Sequence, residues 1–232
     1  MGECPLNVKQ LDKLILSQIT KQSDRDKQKN IGPSEIGGCP ICVGEKLALK
    51  LPDLYPDLYE EDSFGLASWI GTGVHGHLEE TVDIPGAIKE QKNFIYHLEG
   101  YGDIKGSTDF FLEPHLKDWK VIGKYSLDKM KMAWKTEPNK IPTQTYRVQQ
   151  MLYGKGWADL GYKVETVGLV VIPKLSNDPD DIRFYTERYN PEIATRALDR
   201  LEKIWKYVQD GRLEELPSDA DCYRCTRVLF RA

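Results

Sequence analysis

The 232-residue chain contains no run approaching the roughly 18 apolar residues that a membrane span requires. Residues 1–30 lack the apolar stretch of a signal peptide and are rich in Lys, Asp and Gln. There is no surplus of positive charge either, since the formal net charge is −4. A dominant basic field is thereby excluded, but a local basic groove beside an acidic metal site is not. Internal repeats and low-complexity tracts are also missing. Cysteine is sparse, with five residues, and a chain with no export signal is expected in the cytoplasm, where thiols stay reduced. What remains is a chain of ordinary composition, 40% hydrophobic and 29% charged, long enough to bury a substantial core.

Periodicity orders the elements. Val8, Leu11, Leu14, Ile15 and Ile19 predict an amphipathic helix over 7–21. A polar linker follows to residue 30, and then a glycine-punctuated loop leads to Cys39 and Cys42. A helix over 43–51 ends at Pro52, and 53–63 is an acidic, proline-containing loop. Residues 71–82 look like a loop entering a helix, with His75, Leu78, Glu79 and Val82 on one face. Strands over 90–98, 104–112 and 118–122 form an antiparallel meander. A helix spans 142–162, a nearly continuous apolar run within 165–173 suggests a buried strand, and 182–187 is an edge strand. Asn190 as N-cap, Pro191 in the first turn and Gly211 beyond the end frame the last helix. The result is an α/β chain, a central mixed sheet flanked by helices, with residues 1–30 as a helix and linker and 31–232 as one domain.

Three charges stand out in this frame. Asp118 and Lys120 lie two apart on a strand and share a face. Any hairpin register that opposes Asp109 to either of them gathers two carboxylates and an ammonium at one point, and a slip of one residue scatters them. Such a cluster suits a hard cation beside a phosphate, whereas an arbitrary hairpin carries such charges facing water. The cysteines form two C-x-x-C pairs, Cys39/Cys42 and Cys222/Cys225, which together can supply four thiolates to one centre. Sulfur ligation of that kind suits zinc or an iron–sulfur cluster equally. Cys4 is left unmatched.

Five ordered motifs between Ser34 and Cys225 resemble the PD-(D/E)XK nuclease superfamily, in its RecB-like exonuclease branch with the CRISPR-associated and AddB-type nucleases. Gly71-Thr-Gly-Val-His75 is similar to its histidine-bearing helix, Gly106-Ser-Thr-Asp109 to its G-x-x-D strand, Asp118-Trp-Lys120 to its D-x-K strand, and Gln149-x-x-x-Tyr153 to its Q-x-x-x-Y helix. Cysteines near both ends resemble its cluster-bearing members. The resemblance implies a restriction-endonuclease-like core and a DNA exonuclease dependent on Mg²⁺ or Mn²⁺. It further implies a preference for single-stranded or free DNA ends in recombination, repair or phage DNA metabolism. Recombination or replication proteins are expected as partners, and an oligomer is compatible with it. A resolvase-like endonuclease and a non-catalytic nucleic-acid-binding module are the alternatives.

The chemistry of phosphodiester cleavage supports these assignments, because carboxylate-held metal both neutralises phosphoryl charge and activates water. Asp109 and Asp118 are the expected metal carboxylates, with His75 and the Trp119 carbonyl as further ligands. Lys120 is placed to orient or deprotonate water or to stabilise developing charge. Gln149 and Tyr153, one helical turn apart, are expected at the active-site face or on a DNA phosphate. Glu90 matches an acidic position of the branch, and His77 lies on another face. The relatives usually carry a [4Fe-4S] cluster on one upstream and three downstream cysteines. The two-plus-two arrangement here departs from that, so a structural Zn²⁺ stands as the alternative. Lys46, Lys50, Arg224 and Arg227 are candidate phosphate contacts, and Trp69, Trp119, Trp134 and Tyr223 candidate base-stacking groups.

Overall fold

The computed structural model describes residues 8–20, 30–59, 65–137, 140–220, 222, 224 and 225. Five strands make one sheet in sequence order: β1 (Ile88–Leu98), β2 (Gly102–Leu112), β3 (His115–Ile122), β4 (Thr166–Pro173) and β5 (Arg183–Arg188). β2 runs antiparallel to both β1 and β3, β3 and β4 are parallel, and β5 returns antiparallel at the edge. The parallel step needs a crossover, and residues 123–165 provide it. Among the described residues seven α-helices accompany the sheet: α1 (Val8–Ile19), α2 (Pro33–Ile36), α3 (Pro40–Ala48), α4 (Leu66–Thr81), α5 (Lys124–Thr136), α6 (Gln144–Asp159) and α7 (Pro191–Gln209).

The core lies where α6 covers the sheet and α7 packs on α6 and α3. Val167 to Val171 are all buried, so β4 is apolar on both sides, as its continuous hydrophobic run predicts. Helix α7 buries one stripe, including Leu198, Leu201, Ile204 and Trp205. Its Asn190 side chain accepts the Glu192 N–H, and Gly211 beyond its end has φ 71°, a conformation that glycine adopts without penalty. From α6, Trp157 stacks on Phe111 of β2 with ring centroids 4.0 Å apart. Among the described residues no helix is long and apolar enough to cross a membrane.

Several helices differ from expectation. Helix α5 was not anticipated, because four lysines interrupt its apolar pattern and, among its described apolar side chains, Leu127 and Met130 are the buried ones. Helix α4 starts at Leu66 and runs straight through Gly71, Gly73 and Gly76, although each glycine costs roughly 1 kcal/mol relative to alanine. Helix α3 begins at Pro40 with Cys39 at its N-cap, earlier than the expected Val43, because proline suits a first turn. Likewise Pro142 precedes α6, whose cap is Thr143, its hydroxyl accepting the Tyr146 N–H.

Candidate active site and cysteine centre

The hairpin register decides whether the charges of β2 and β3 meet. Phe110 pairs with Lys117, Phe111 with Leu116 and Leu112 with His115. One further step sets Asp109 against Asp118, the parity that gathers them on one face. The ladder opens at that step, and the Trp119 N–H donates instead to Asp109 Oδ2 at 2.7 Å. On the other side, Lys89 pairs with Phe110 and Gln91 with Thr108, and Glu90 between them has φ 49°. Glu90, Asp109 and Asp118 therefore form a transverse row across β1, β2 and β3. The hairpin expectation of shared facing is met.

Each member of the row is held by a different neighbour. Asp118 is 2% exposed, and Lys120 Nζ lies 2.5 Å from its Oδ2. That oxygen has the ammonium nearby but no well-directed hydrogen bond. Burial raises the Asp118 carboxyl to about 7 against the pull of Lys120, with Asp109 adding to the rise. Burial alone would lower Lys120, but Asp118 and Asp109 hold it above its ordinary value. Its ammonium also sits 5.4 Å from the Tyr146 ring centroid, within cation–π range.

For Asp109, burial acts upward, but His75 and the Trp119 N–H outweigh it and keep the carboxyl low. His75 Nδ1 lies 3.3 Å from Asp109 Oδ1, and this contact raises the imidazole despite partial burial. Glu90 is raised, first by burial and then by a hydrogen bond with Glu79. Glu79 stands one helical turn beyond His75 on α4. His77 is exposed, away from the site.

Gln149 and Tyr153 lie behind this row. Both are buried, and Gln149 Nε2 donates to the Tyr153 hydroxyl at 2.8 Å. Burial and the nearby Asp118 both push the Tyr153 phenol up, which keeps it a neutral hydrogen-bonding group. Gly106 makes this packing feasible. A Cβ there would stand 2.7 Å from the Tyr153 ring and 2.8 Å from Pro33 Cγ. Gly106→Ala is expected to cost about 1–3 kcal/mol by overpacking, measured as a lower urea midpoint at unchanged m-value.

The cysteines meet at a second centre. Sγ–Sγ distances are 3.7 Å for Cys39–Cys225, 3.6 Å for Cys42–Cys222 and 3.5 Å for Cys42–Cys225. All four sulfurs lie within 4.8 Å of one another. Among the described residues this is the one group of metal-ligating side chains that converges so closely; the carboxylate row is looser, its members bonded to neighbours. The Asp219 N–H donates to Cys39 Sγ at 3.2 Å. Burial pushes the Cys42 thiol up. Burial acts the same way on Cys222, but the backbone N–H groups of Cys225 and Arg224 and the neighbouring thiols bring it down to about 7. Cys4 lies outside the described residues.

No family model and no characterised protein matches the chain in sequence. Solved structures do. An alkaline exonuclease from Laribacter hongkongensis, LHK-Exo, matches with TM-score 0.52 at 14% identity, over 88% of this chain and 95% of that one. Its complex with dAMP matches with TM-score 0.50 at 16% identity, with the same coverages. The fold is restriction-endonuclease-like.

Within this restriction-endonuclease-like core, the structure brings His75, Asp109, Asp118 and Lys120 together, with Gln149 and Tyr153 behind them. It adds Glu79, which shares the His75 face of α4 by helical spacing but carries no motif, and it draws Glu90 into the row. Of the candidate nucleic-acid contacts, Trp69 is half exposed and Trp119 packs on Phe110. Lys50 sits over the Tyr101 ring and Arg224 pairs with Glu45 at 3.0 Å. The Trp134 side chain, Tyr223 and Arg227 lie outside the described residues.

Proposed function

We propose that the protein is a divalent-metal-dependent deoxyribonuclease of the RecB-like exonuclease type, acting at single-stranded DNA ends in recombination, repair or phage DNA metabolism. The observation that carries this reading is the convergence of His75, Asp109, Asp118 and Lys120 where β2 and β3 part. The donor set fits a divalent cation. Asp118 Oδ2 is buried without a directed hydrogen bond, and Asp109 and His75 offer an oxygen and a nitrogen beside it. Hard carboxylate oxygens suit Mg²⁺ or Mn²⁺, and the Trp119 carbonyl follows directly in the chain as a further oxygen. A cation bound there would neutralise phosphoryl charge and acidify water.

The protein's own groups supply the rest. Lys120 carries a charge that Asp118 holds in place, positioned to stabilise negative charge on phosphoryl oxygens or to orient the attacking water. Glu90, hydrogen-bonded to Glu79, closes the rim of the row, and Gln149 with Tyr153 fixes its back wall. LHK-Exo is an exonuclease crystallised with dAMP, which supports DNA as the substrate class. The test is incubation with end-labelled linear and circular DNA, single- and double-stranded, plus Mg²⁺ or Mn²⁺. Progressive shortening of linear single strands with circles left intact is expected. Cleavage of circles would favour the endonuclease reading, and no cleavage of any DNA would overturn the proposal.

Cation binding must displace protons. The metal-free fold keeps Asp118 protonated to about pH 7, far above an unfolded aspartate near 4, and His75 is also raised. Both groups bind more protons folded than unfolded, so their contribution to metal-free stability falls as pH rises through that window. A cation reverses the dependence, since it needs ionised carboxylate and neutral imidazole. The rise in melting temperature produced by Mn²⁺ is therefore expected to be larger at pH 8 than at pH 6 by differential scanning calorimetry. An equal rise at both values would contradict the assignment of Asp118 and His75 as ligands.

For the cysteine centre, the sulfur spacing favours a single ion. Four thiolates around one zinc at about 2.3 Å have S···S edges of about 3.8 Å, close to the 3.5–3.7 Å of three sulfur pairs, with all pairs within 4.8 Å. A four-iron cluster sets each thiolate on a different iron across a cube of sulfide, which needs wider spacing. We infer a structural zinc, which a colourless protein with one zinc per chain would support. A brown protein with iron would reverse this.

A further inference from the structure

A groove of about 370 Å³ opens between α6, α7 and the α2–α3 turn, on the flank of α6 away from the carboxylate row. Its floor is apolar, from Val148, Ile193 and Ala197, and three arginines line it, Arg147, Arg196 and Arg200. We propose that this groove binds phosphate groups of the substrate strand beyond the point of cleavage. The identity of the strand rests on the nuclease reading above; the phosphate chemistry does not.

The three guanidinium groups are not equally available. Arg147 is committed, with Nε 2.8 Å and 3.0 Å from the two carboxylate oxygens of the buried Glu187, so it is a fixed wall with spare N–H groups. Arg196 is exposed, and its partner Glu192 is 3.7 Å away and exposed as well. Such a pair exchanges readily for a phosphate. Arg200 donates to the carbonyls of Ile36 and Gly38, and among the described residues no carboxylate lies within 4.0 Å of it. Burial lowers its pKa while Asp219 and Cys39 act in its favour. Asp219 is the one acid in the groove lining, and its backbone N–H is bound to Cys39 Sγ. A guanidinium retains free donors in a planar fork after two bonds, and that geometry matches phosphate oxygens.

Position supplies the link to the reaction. Tyr146, beneath Lys120, and Arg147, facing the groove, are consecutive residues of α6. A helix is about 10 Å across, so a strand held at the carboxylate row reaches the groove by passing one helical turn. An apolar floor under cationic walls suits sugar and base below and phosphate at the rim. The cysteine centre borders the end of this groove, because Arg200 clamps the Ile36 and Gly38 carbonyls just before Cys39.

The test is fluorescence anisotropy of a labelled single-stranded oligonucleotide with the full-length protein and no added divalent cation. Arg196→Glu is expected to weaken binding about tenfold and to reduce the slope of log K against log salt by about one. Arg196→Lys keeps most of the affinity. Lys163→Glu, past the far end of α6, changes nothing. Hydrolysis of bis(p-nitrophenyl) phosphate, which has no strand to seat, is the same in Arg196→Glu as in wild type. Unchanged binding in Arg196→Glu, or an equal loss in Lys163→Glu, overturns the proposal. Binding of inorganic phosphate by isothermal titration calorimetry that is lost in Arg196→Glu, while that variant keeps wild-type affinity for the oligonucleotide, would assign the groove to free phosphate and overturn the strand assignment. A wild-type protein that binds through Arg196 but cleaves no DNA would leave the groove intact and remove the nuclease reading.

Discussion

Asp118→Asn is expected to lower DNA cleavage by at least about a thousandfold, the scale on which loss of one preorganised electrostatic group acts in an active site. The amide keeps the volume of the carboxylate but cannot ionise, so the buried oxygen that lacks a directed hydrogen bond no longer serves a cation. Lys120 then loses its partner inside the protein. A buried charge stripped of its partner typically costs 3–5 kcal/mol, so the variant should also melt lower than wild type. Lys120→Met separates the two effects. It removes the ammonium with an apolar side chain of similar length, leaves Asp118 free to stay neutral in its buried setting, and should lose activity with a smaller loss of stability. Cleavage within tenfold of wild type by Asp118→Asn would remove this carboxylate from the reaction.

The double variant Cys42→Ser, Cys222→Ser is expected to lower the melting temperature by about 10 °C or more. The two thiols stand 3.6 Å apart and join the segment after Gly38 to the end of the described chain. Structural metal binding is folding free energy, since no such site exists in the unfolded chain. A loss of several kcal/mol translates to about 2–4 °C each in a chain of this size. The rest of the fold should survive. Ile36, Val43 and Leu47 are buried with the main core, and α2 packs against α6 through Gly37, where a Cβ would meet Val148 at 2.8 Å. Near-native helix content by circular dichroism at 25 °C is therefore expected beside the lower melting point. An unchanged melting temperature would mean that the four sulfurs hold no stabilising ion.

Much of this was legible in the sequence where a local rule suffices. The apolar stripe and caps of α7, the continuous hydrophobic run of β4 and the antiparallel meander follow from periodicity and turn residues. The convergence of Asp109 with Asp118 and Lys120 was legible only as a condition on the hairpin register, and the pairing of Phe110 with Lys117 supplies the required parity. The misses have physical causes. Gly71, Gly73 and Gly76 argue for a loop, yet each has open space around it, and the helix persists through them. In α5 the buried side chains among the described ones are Leu127 and Met130, which leave little periodic signal. The opening of the ladder at Asp109 depends on one bond from the Trp119 amide, which no pattern of residue types encodes. The pairing of Glu79 with Glu90 needs α4 to be laid across the sheet before it can be seen. Arg147, Arg196 and Arg200 come together from two helices far apart in sequence, so their groove is a property of the fold alone.

The central claim is that the parted edge of β2 and β3 is a cation site serving phosphodiester cleavage. Its most direct test is the anomalous difference map of a crystal soaked in Mn²⁺. A peak in contact with His75, Asp109 and Asp118, lost in Asp118→Asn crystals, is the predicted result. A protein that cleaves DNA with Mn²⁺ while the peak lies elsewhere, or stays in place without Asp118, would contradict it.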